Sequence, residues 1–212
     1  MHSDQHIRAY VRAFGEVENE LLRAARARSE EADISTVPLE TGALLRFLAR
    51  ATHVRYAVEV GSGGGYSGLW LLGGMDPKGC LTTIEIAPAH QALAQRAFTE
   101  AHVTDRIRSI LGAALVVLPK LSDSSYDLVF LDAAKAEYPE YLAHAKRLLH
   151  PGGLLLAVNV LRGGRVPDPT VGDDDTVALR EFNDAVRDDP DWQGLIFTVG
   201  DGVLGAVYSP KR

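Results

Sequence analysis

Residues 57 to 67 read Ala-Val-Glu-Val-Gly-Ser-Gly-Gly-Gly-Tyr-Ser, an apolar run carrying Glu59 that passes straight into four glycines in five positions, Gly61, Gly63, Gly64 and Gly65. Glycine lacks the Cβ that would block a sharp turn or hold a ligand away from the backbone. A strand that feeds a glycine loop and then a helix is how open α/β sheets hold nucleotide-like cofactors, so this segment alone argues for such a sheet. A second acid, Glu85, lies 20 positions after Gly65 in the apolar run Leu81 to Ile86, a spacing that suits a carboxylate gripping ribose hydroxyls.

Further along the chain, apolar runs alternate with helical periodicity. Strands are expected at Tyr56 to Val60, Cys80 to Ile86, Arg106 to Leu111, Tyr126 to Leu131 and Leu154 to Val158. Helices are expected between them at Tyr66 to Leu72, Pro88 to Ala101, Ala113 to Leu118 and Tyr138 to Leu149, with Pro151, Gly152 and Gly153 stopping the last. Repeated β-α units of this length predict an α/β fold, a doubly wound, mostly parallel sheet with helices on both faces. Before it, Ile7, Val11, Phe14, Val17, Leu21 and Leu22 recur at helical steps. Pro38 then interrupts, and a second amphipathic piece carries Leu44, Leu45, Phe47 and Leu48. After it, Leu195 to Val199 and Val203 to Tyr208 flank Gly200-Asp201-Gly202, the pattern of an antiparallel hairpin. The chain therefore reads as one domain over 1–212, with a helical extension over 1–50 and a cofactor-binding α/β core over 51–212.

Composition narrows the function. With 46% hydrophobic residues in 212, the chain can bury one full core. A net charge of -6 argues against nucleic acid as the ligand, because phosphate binding needs a basic face. Cys80 is the only cysteine, so no internal disulfide can form. No run approaches the roughly 20 apolar residues of a membrane span. The opening Met-His-Ser-Asp-Gln-His has neither the basic start nor the apolar stretch of an export signal, so a cytoplasmic protein acting on a small molecule is expected.

Other words in the sequence sharpen the reading. They are Val37-Pro-Leu-Glu-Thr-Gly, Glu59 to Ser67, Tyr126-Asp-Leu-Val-Phe-Leu-Asp-Ala-Ala-Lys135, Leu148-Leu-His-Pro-Gly-Gly-Leu, Asn159-Val-Leu-Arg-Gly-Gly-Arg-Val, and Asp201-Gly-Val-Leu. Together these resemble the small S-adenosylmethionine-dependent O-methyltransferases of the catechol and caffeoyl-CoA type, in a divergent branch of actinobacterial character. The resemblance runs from about residue 35 to the end. It implies a seven-stranded, Rossmann-like sheet whose last two strands form a reversed hairpin, and a homodimer with the helical N-terminus as a place of contact.

Carried over by position, the resemblance implies that Val37, Glu59, Gly61, Gly63, Gly65 and Ser67 bind the cofactor, the Gly61 to Gly65 backbone and Ser67 surrounding its methionine part. It likewise implies that Glu85 takes the ribose, that Ala113 and Ala114 lie by the adenine, and that Asp132 reaches the site. It implies catalytic roles for Asp132, Asn159 and Lys135, the last as general base, and a divalent cation such as Mg2+ on Asp132 and Asn159. Val158 stands where a further carboxylate is expected, so metal assistance is expected to be weak or absent. The acceptor is expected to be a small phenol or other hydroxyl compound.

Two rivals stand beside this reading. A nicotinamide-dependent oxidoreductase would share the architecture, but Tyr66 occupies the place of its third glycine and the terminal hairpin is foreign to it. A cofactor-binding protein without activity is suggested by Val158 and by Ala134, where an aspartate is missing. Asp173, Asp174 and Asp175 precede the apolar-periodic Val177, Leu179, Phe182 and Val186, and are read as helix N-terminal charges. Arg162 and Arg165 fall in a loop that could overhang the acceptor, either reading an acidic group or standing in solvent.

Overall fold

The computed structural model describes His6, Tyr10 and residues 18–211. Ile7, Val11, Phe14 and Val17 of the expected first helix lie outside the described residues. Helix α1 (Glu20–Glu31) opens at Asn19, whose Oδ1 accepts the Leu22 N–H at 2.9 Å. After Pro38, whose extended backbone ends the preceding segment, α2 (Leu39–Ala51) leads into the sheet.

The strands are β1 (Tyr56–Val60), β2 (Cys80–Glu85), β3 (Ile107–Leu111), β4 (Tyr126–Leu131), β5 (Leu149–Val158), β6 (Trp192–Phe197) and β7 (Val203–Tyr208), in the spatial order β3-β2-β1-β4-β5-β7-β6. The first five pair in parallel, while β7 pairs antiparallel with both β5 and β6. The connecting helices are α3 (Tyr66–Gly74), α4 (Pro88–Glu100), the short α5 (Ala114–Val117), α6 (Tyr138–Leu148) and α7 (Asp174–Asp188).

Most elements lie within two residues of the expected bounds, and two strands depart further. Strand β5 begins at Leu149, ahead of Pro151, because Leu149 pairs with Tyr126 before the register jumps to Leu128 opposite Leu154. Pro151 has no N–H for the ladder and Gly152 sits at φ +90°, so this stretch bulges out of a strand that continues past it. Strand β6 begins at Trp192 and ends at Phe197, earlier at both ends than the apolar run Leu195 to Val199. Its register is set by pairing Trp192 with Tyr208 and Phe197 with Val203. The turn takes the residues between, closed by the Gly202 N–H on the Val199 carbonyl at 3.1 Å.

Both faces of the central strands β1, β4 and β5 are apolar and covered, as parallel strands within a sheet require, while the edge strands β3 and β6 are partly exposed. Val58, Val60, Leu131, Leu155 and Ala157 pack under α5, α6 and α7, where the Tyr138 and Phe182 rings meet edge to face at 5.3 Å. Ala57, Leu128, Phe130, Leu156 and Val158 pack on the other side with Leu22, Leu45, Trp70 and Phe98 of α1 to α4. Among the described residues, no helix is long and apolar enough to cross a membrane.

Candidate active site

Strand order reverses beside β1: β2 and β3 lie to one side, β4 and β5 to the other. The loops leaving the strands part there, and a cavity of about 400 Å³ opens at their carboxyl ends. Loop residues after β1 to β5 line it, together with Ile34 to Pro38 and Thr41 before the sheet and Asp201 and Gly202 from the hairpin turn.

The glycine loop is held from both sides. Gly61 adopts φ +94°, donates to the Ile84 carbonyl at 2.9 Å, and lies where any Cβ would collide with the Asp132 carbonyl. Glycine at 61 is thus required by the passage between β2 and β4 as well as by any ligand. Gly63 donates its N–H to Glu85 Oε2 at 2.9 Å, while Glu85 Oε1 accepts the N–H groups of Ile86 and Ala87 at 3.0 Å each. The Glu85 carboxylate is therefore fixed at the cavity wall, only 7% exposed.

Glu59 lies beneath this wall. Its Oε1 accepts from Ser67 Oγ and its Oε2 from Thr83 Oγ1, both at 2.6 Å, and Ser62 Oγ lies 2.6 Å from the same threonine hydroxyl. Complete burial lifts the Glu59 carboxyl to about 7 despite those two donors, with Asp132 and Glu85 adding to the rise. Neither Glu59 nor Gly65 lines the cavity. Gly65, at φ +87°, opens α3 close against Ala94 of α4. Val37, Gly61, Gly63, Ser67, Glu85, Ala113, Ala114 and Asp132 all line it, as do Val158 and Asn159.

At the end away from Glu85's loop, Asp132 follows β4 with its N–H on the Val60 carbonyl at 2.9 Å. Lys135 Nζ donates to Asp132 Oδ1 at 3.2 Å and to Tyr138 Oη at 2.8 Å, and stands 4.8 Å from the centre of the Tyr138 ring. The Tyr138 hydroxyl in turn lies 3.0 Å from the Leu131 carbonyl and 3.3 Å from that of Val158. Lys135 sits behind Asp132, outside the residues that line the cavity. Burial holds the Lys135 amine below its ordinary value against the pull of Asp132, and burial raises the Asp132 carboxyl against the pull of Lys135.

The donor set does not suit a divalent cation. Val158 is 3% exposed and packs among core residues of the α1 to α4 face, so it offers apolar carbon where an oxygen is needed. Asp132 Oδ1 is engaged by an ammonium-bearing chain. Among the described residues, no group of three His, Cys, Asp or Glu side chains is placed to hold a metal ion.

Several cavity residues escaped the sequence reading. Tyr66, at the third-glycine position, lines the wall and donates its hydroxyl to Glu18, which also holds the Arg26 guanidinium through two 2.9 Å bonds. Glu137 and Tyr141 are bonded to each other across one helical turn, a spacing the sequence did display. Asp201 reads as a turn residue, and only tertiary folding brings it to the cavity, where its Oδ1 accepts the Gly163 N–H at 2.6 Å. Arg162 and Arg165 do not line the cavity; Arg165 is half exposed to solvent, and both pair with acids at the start of α7. Arg162 Nη1 lies 2.8 Å from Asp175 and 3.2 Å from Asp173, and Arg165 Nη2 lies 2.7 Å from Asp173. Asp173 is the N-cap of α7, accepting the Thr176 N–H at 3.2 Å, with Asp174 and Asp175 in the first turn.

Known proteins resemble this chain in sequence and in fold. The chain is 44% identical over 191 residues to a Mycobacteroides abscessus protein grouped by name with the O-methyltransferases, covering 90% of this chain and 89% of that one. Among solved structures, the O-methyltransferase TomG from Streptomyces achromogenes, in complex with S-adenosylmethionine, superposes with a TM-score of 0.89 at 32% identity, covering 97% of this chain and 96% of that one. The O-methyltransferase from Bacillus cereus, in complex with S-adenosylhomocysteine, gives 0.89 at 27% identity, with 96% and 97% covered. A family model described as O-methyltransferase matches residues 14–207, and the chain belongs to that family.

Proposed function

We propose that this chain transfers a methyl group from S-adenosylmethionine to a hydroxyl oxygen of a small, phenolic acceptor. The observation that carries the reading is one cavity lined both by a fixed carboxylate suited to ribose, Glu85, and by Asp132, which Lys135 contacts from outside the lining. Relatives solved with S-adenosylmethionine or S-adenosylhomocysteine support the choice of cofactor.

When bound, S-adenosylmethionine supplies a methyl group already activated on a positive sulfur; the C–S bond breaks as the O–C bond forms, leaving a neutral thioether. What remains for the protein is positioning and removal of the acceptor's proton. Glu85 would accept the ribose hydroxyls, Ser67 and the Gly61 to Gly65 backbone would hold the methionine end, and Ala113 and Ala114 would leave room for the adenine. A phenol of pKa about 10 is mostly protonated at neutral pH. Lys135 is the proposed final holder of its proton. Burial favours its neutral form, and once charged it rests on Asp132, which itself faces the cavity. Asn159 would position the acceptor beside Asp132. No step is routed through a metal.

A homodimer joined near the N-terminal helices belongs to the same reading, and light scattering on the purified protein tests it. The function itself is tested by calorimetric titration with S-adenosylhomocysteine and with NAD, followed by mass-spectrometric detection of methylated phenols. Binding of the first ligand with product formation supports the proposal. Binding of NAD alone overturns it in favour of redox chemistry, and cofactor binding without product from any hydroxyl compound favours a non-catalytic module.

A further inference from the structure

We propose that the acceptor site of this chain is metal-free by construction, with the Asp132 carboxylate held by Lys135 where a divalent cation would otherwise sit. The expected survival of methyl transfer in chelator rests on the methyl-transfer reading above; the metal-binding result stands without it.

Three observations converge. At the carboxyl end of β5, the side chain facing Asp132's side of the sheet is that of Val158, buried against Leu156 and Val203. A hard cation demands oxygen ligands and gives up its hydration reluctantly, so an isopropyl group at this position subtracts a ligand. Next, Asp132 already has a partner held in place independently: Lys135 Nζ is bonded to Asp132 Oδ1 at 3.2 Å and to Tyr138 Oη at 2.8 Å, with the ring beneath it at 4.8 Å. A metal ion approaching Asp132 would find Oδ1 taken by a nitrogen that carries hydrogens in either charge state. Third, the other carboxylates that line the cavity are engaged elsewhere: Asp201 accepts the Gly163 N–H at 2.6 Å, Glu137 accepts the Tyr141 hydroxyl, and Glu85 accepts the N–H groups of Gly63, Ile86 and Ala87. Asp132 and Asn159 are thus left without a carboxylate at 158 and with a lysine in attendance.

The test is direct titration of the whole protein with Mn2+ followed by electron paramagnetic resonance, and with Mg2+ by calorimetry, each with and without S-adenosylhomocysteine. The wild type is expected to show no saturable binding of either ion at millimolar concentration, and its methyl transfer is expected to survive excess chelator. Val158→Asp is expected to tighten Mn2+ binding at least about tenfold, because carboxylate count sets affinity in such sites. Val158→Asn, which introduces no buried charge, provides an oxygen ligand if the aspartate variant fails to fold. Saturable Mn2+ binding by the wild type that Asp132→Asn abolishes would overturn the proposal. So would a folded Val158→Asp protein, competent for S-adenosylhomocysteine, that binds Mn2+ no better than wild type. Failure of S-adenosylhomocysteine to bind anywhere in the series would strike the methyltransferase reading instead, and the metal titrations would still be read on the protein alone.

Discussion

Glu85 Oε2 accepts the Gly63 N–H at 2.9 Å, so the carboxylate at the end of β2 braces the very loop that leaves β1. One residue thus does two things: it presents oxygen to the cavity and it sets the height of the glycine backbone there. Glu85→Ala should weaken S-adenosylhomocysteine binding by about 10–100-fold, since hydrogen bonds to charged groups contribute about 1.5–3 kcal/mol. Calorimetric titration of the variant checks this; an unchanged affinity would mean that the ribose is held elsewhere.

Lys135→Met and Lys135→Arg should both lower kcat by about 100- to 10,000-fold, the usual contribution of a proton-transfer group, with S-adenosylhomocysteine affinity unaltered. Arginine keeps the charge beside Asp132 but cannot give up its proton. Restoration of activity by Arg would therefore identify Lys135 as a positioning residue. In the wild type, activity should fall as pH drops and the amine is protonated, with a midpoint below that of an ordinary lysine because the amine is buried.

Glu59 makes stability pH-dependent. Its carboxyl is raised from the ordinary value of 4.5 to about 7 by burial. The contribution to stability is fully present below about 4.5 and is lost as pH rises through about 7, by at most about 3 kcal/mol. Glu59→Gln, which still offers an acceptor to Ser67 or Thr83, should flatten the fall in Tm across that interval. Parallel melting curves of the two proteins from pH 5 to about 8 decide it.

Gly61→Ala combines a φ of +94° with a collision against the Asp132 carbonyl. A loss of about 2–4 kcal/mol is expected, equivalent to a Tm lower by about 5–15 °C for a chain of this size. Thermal unfolding by circular dichroism measures it, and a loss under about 1 kcal/mol would show that β4 can give way.

Arg162 and Arg165 fasten the segment after β5 to the start of α7 through Asp173 and Asp175. These pairs are partly exposed and contribute little to global stability, about 1 kcal/mol or less each. The double variant Arg162→Ala/Arg165→Ala should therefore melt near the wild-type temperature. It should nonetheless raise KM for the acceptor several-fold while leaving S-adenosylhomocysteine affinity intact, because the loop carrying Asn159 loses its tether. Equal changes in both constants would argue against a local role.

Much of the fold was legible because its signals are local. The runs at Tyr56–Val60 and Tyr126–Leu131 are apolar on both faces, which marks strands covered on both sides, and each turns into its helix at a glycine or proline signal. The β5 start was misplaced because Pro151 and Gly153 look like a boundary in sequence. Only the pairing of Leu149 with Tyr126 shows that the strand begins before the bulge. The β6 boundaries moved for the same reason, since an edge strand's register belongs to its partner.

Periodicity and the glycine loop by themselves determined an α/β sheet with a ligand crevice at its carboxyl ends, and the positions of Gly61, Gly63, Ser67, Glu85 and Asp132 on that crevice. Tertiary structure decided which of the singled-out residues face the cavity and which support it from behind. Glu59, Gly65 and Lys135 stand outside the lining, while Asp201 comes to it from the hairpin turn and Tyr141 from α6, far along the chain from the glycine loop. The physical reason is that backbone periodicity is written in neighbouring residues, whereas the direction of a side chain at a strand end, and the partner it meets there, depend on elements packed against it from far along the sequence.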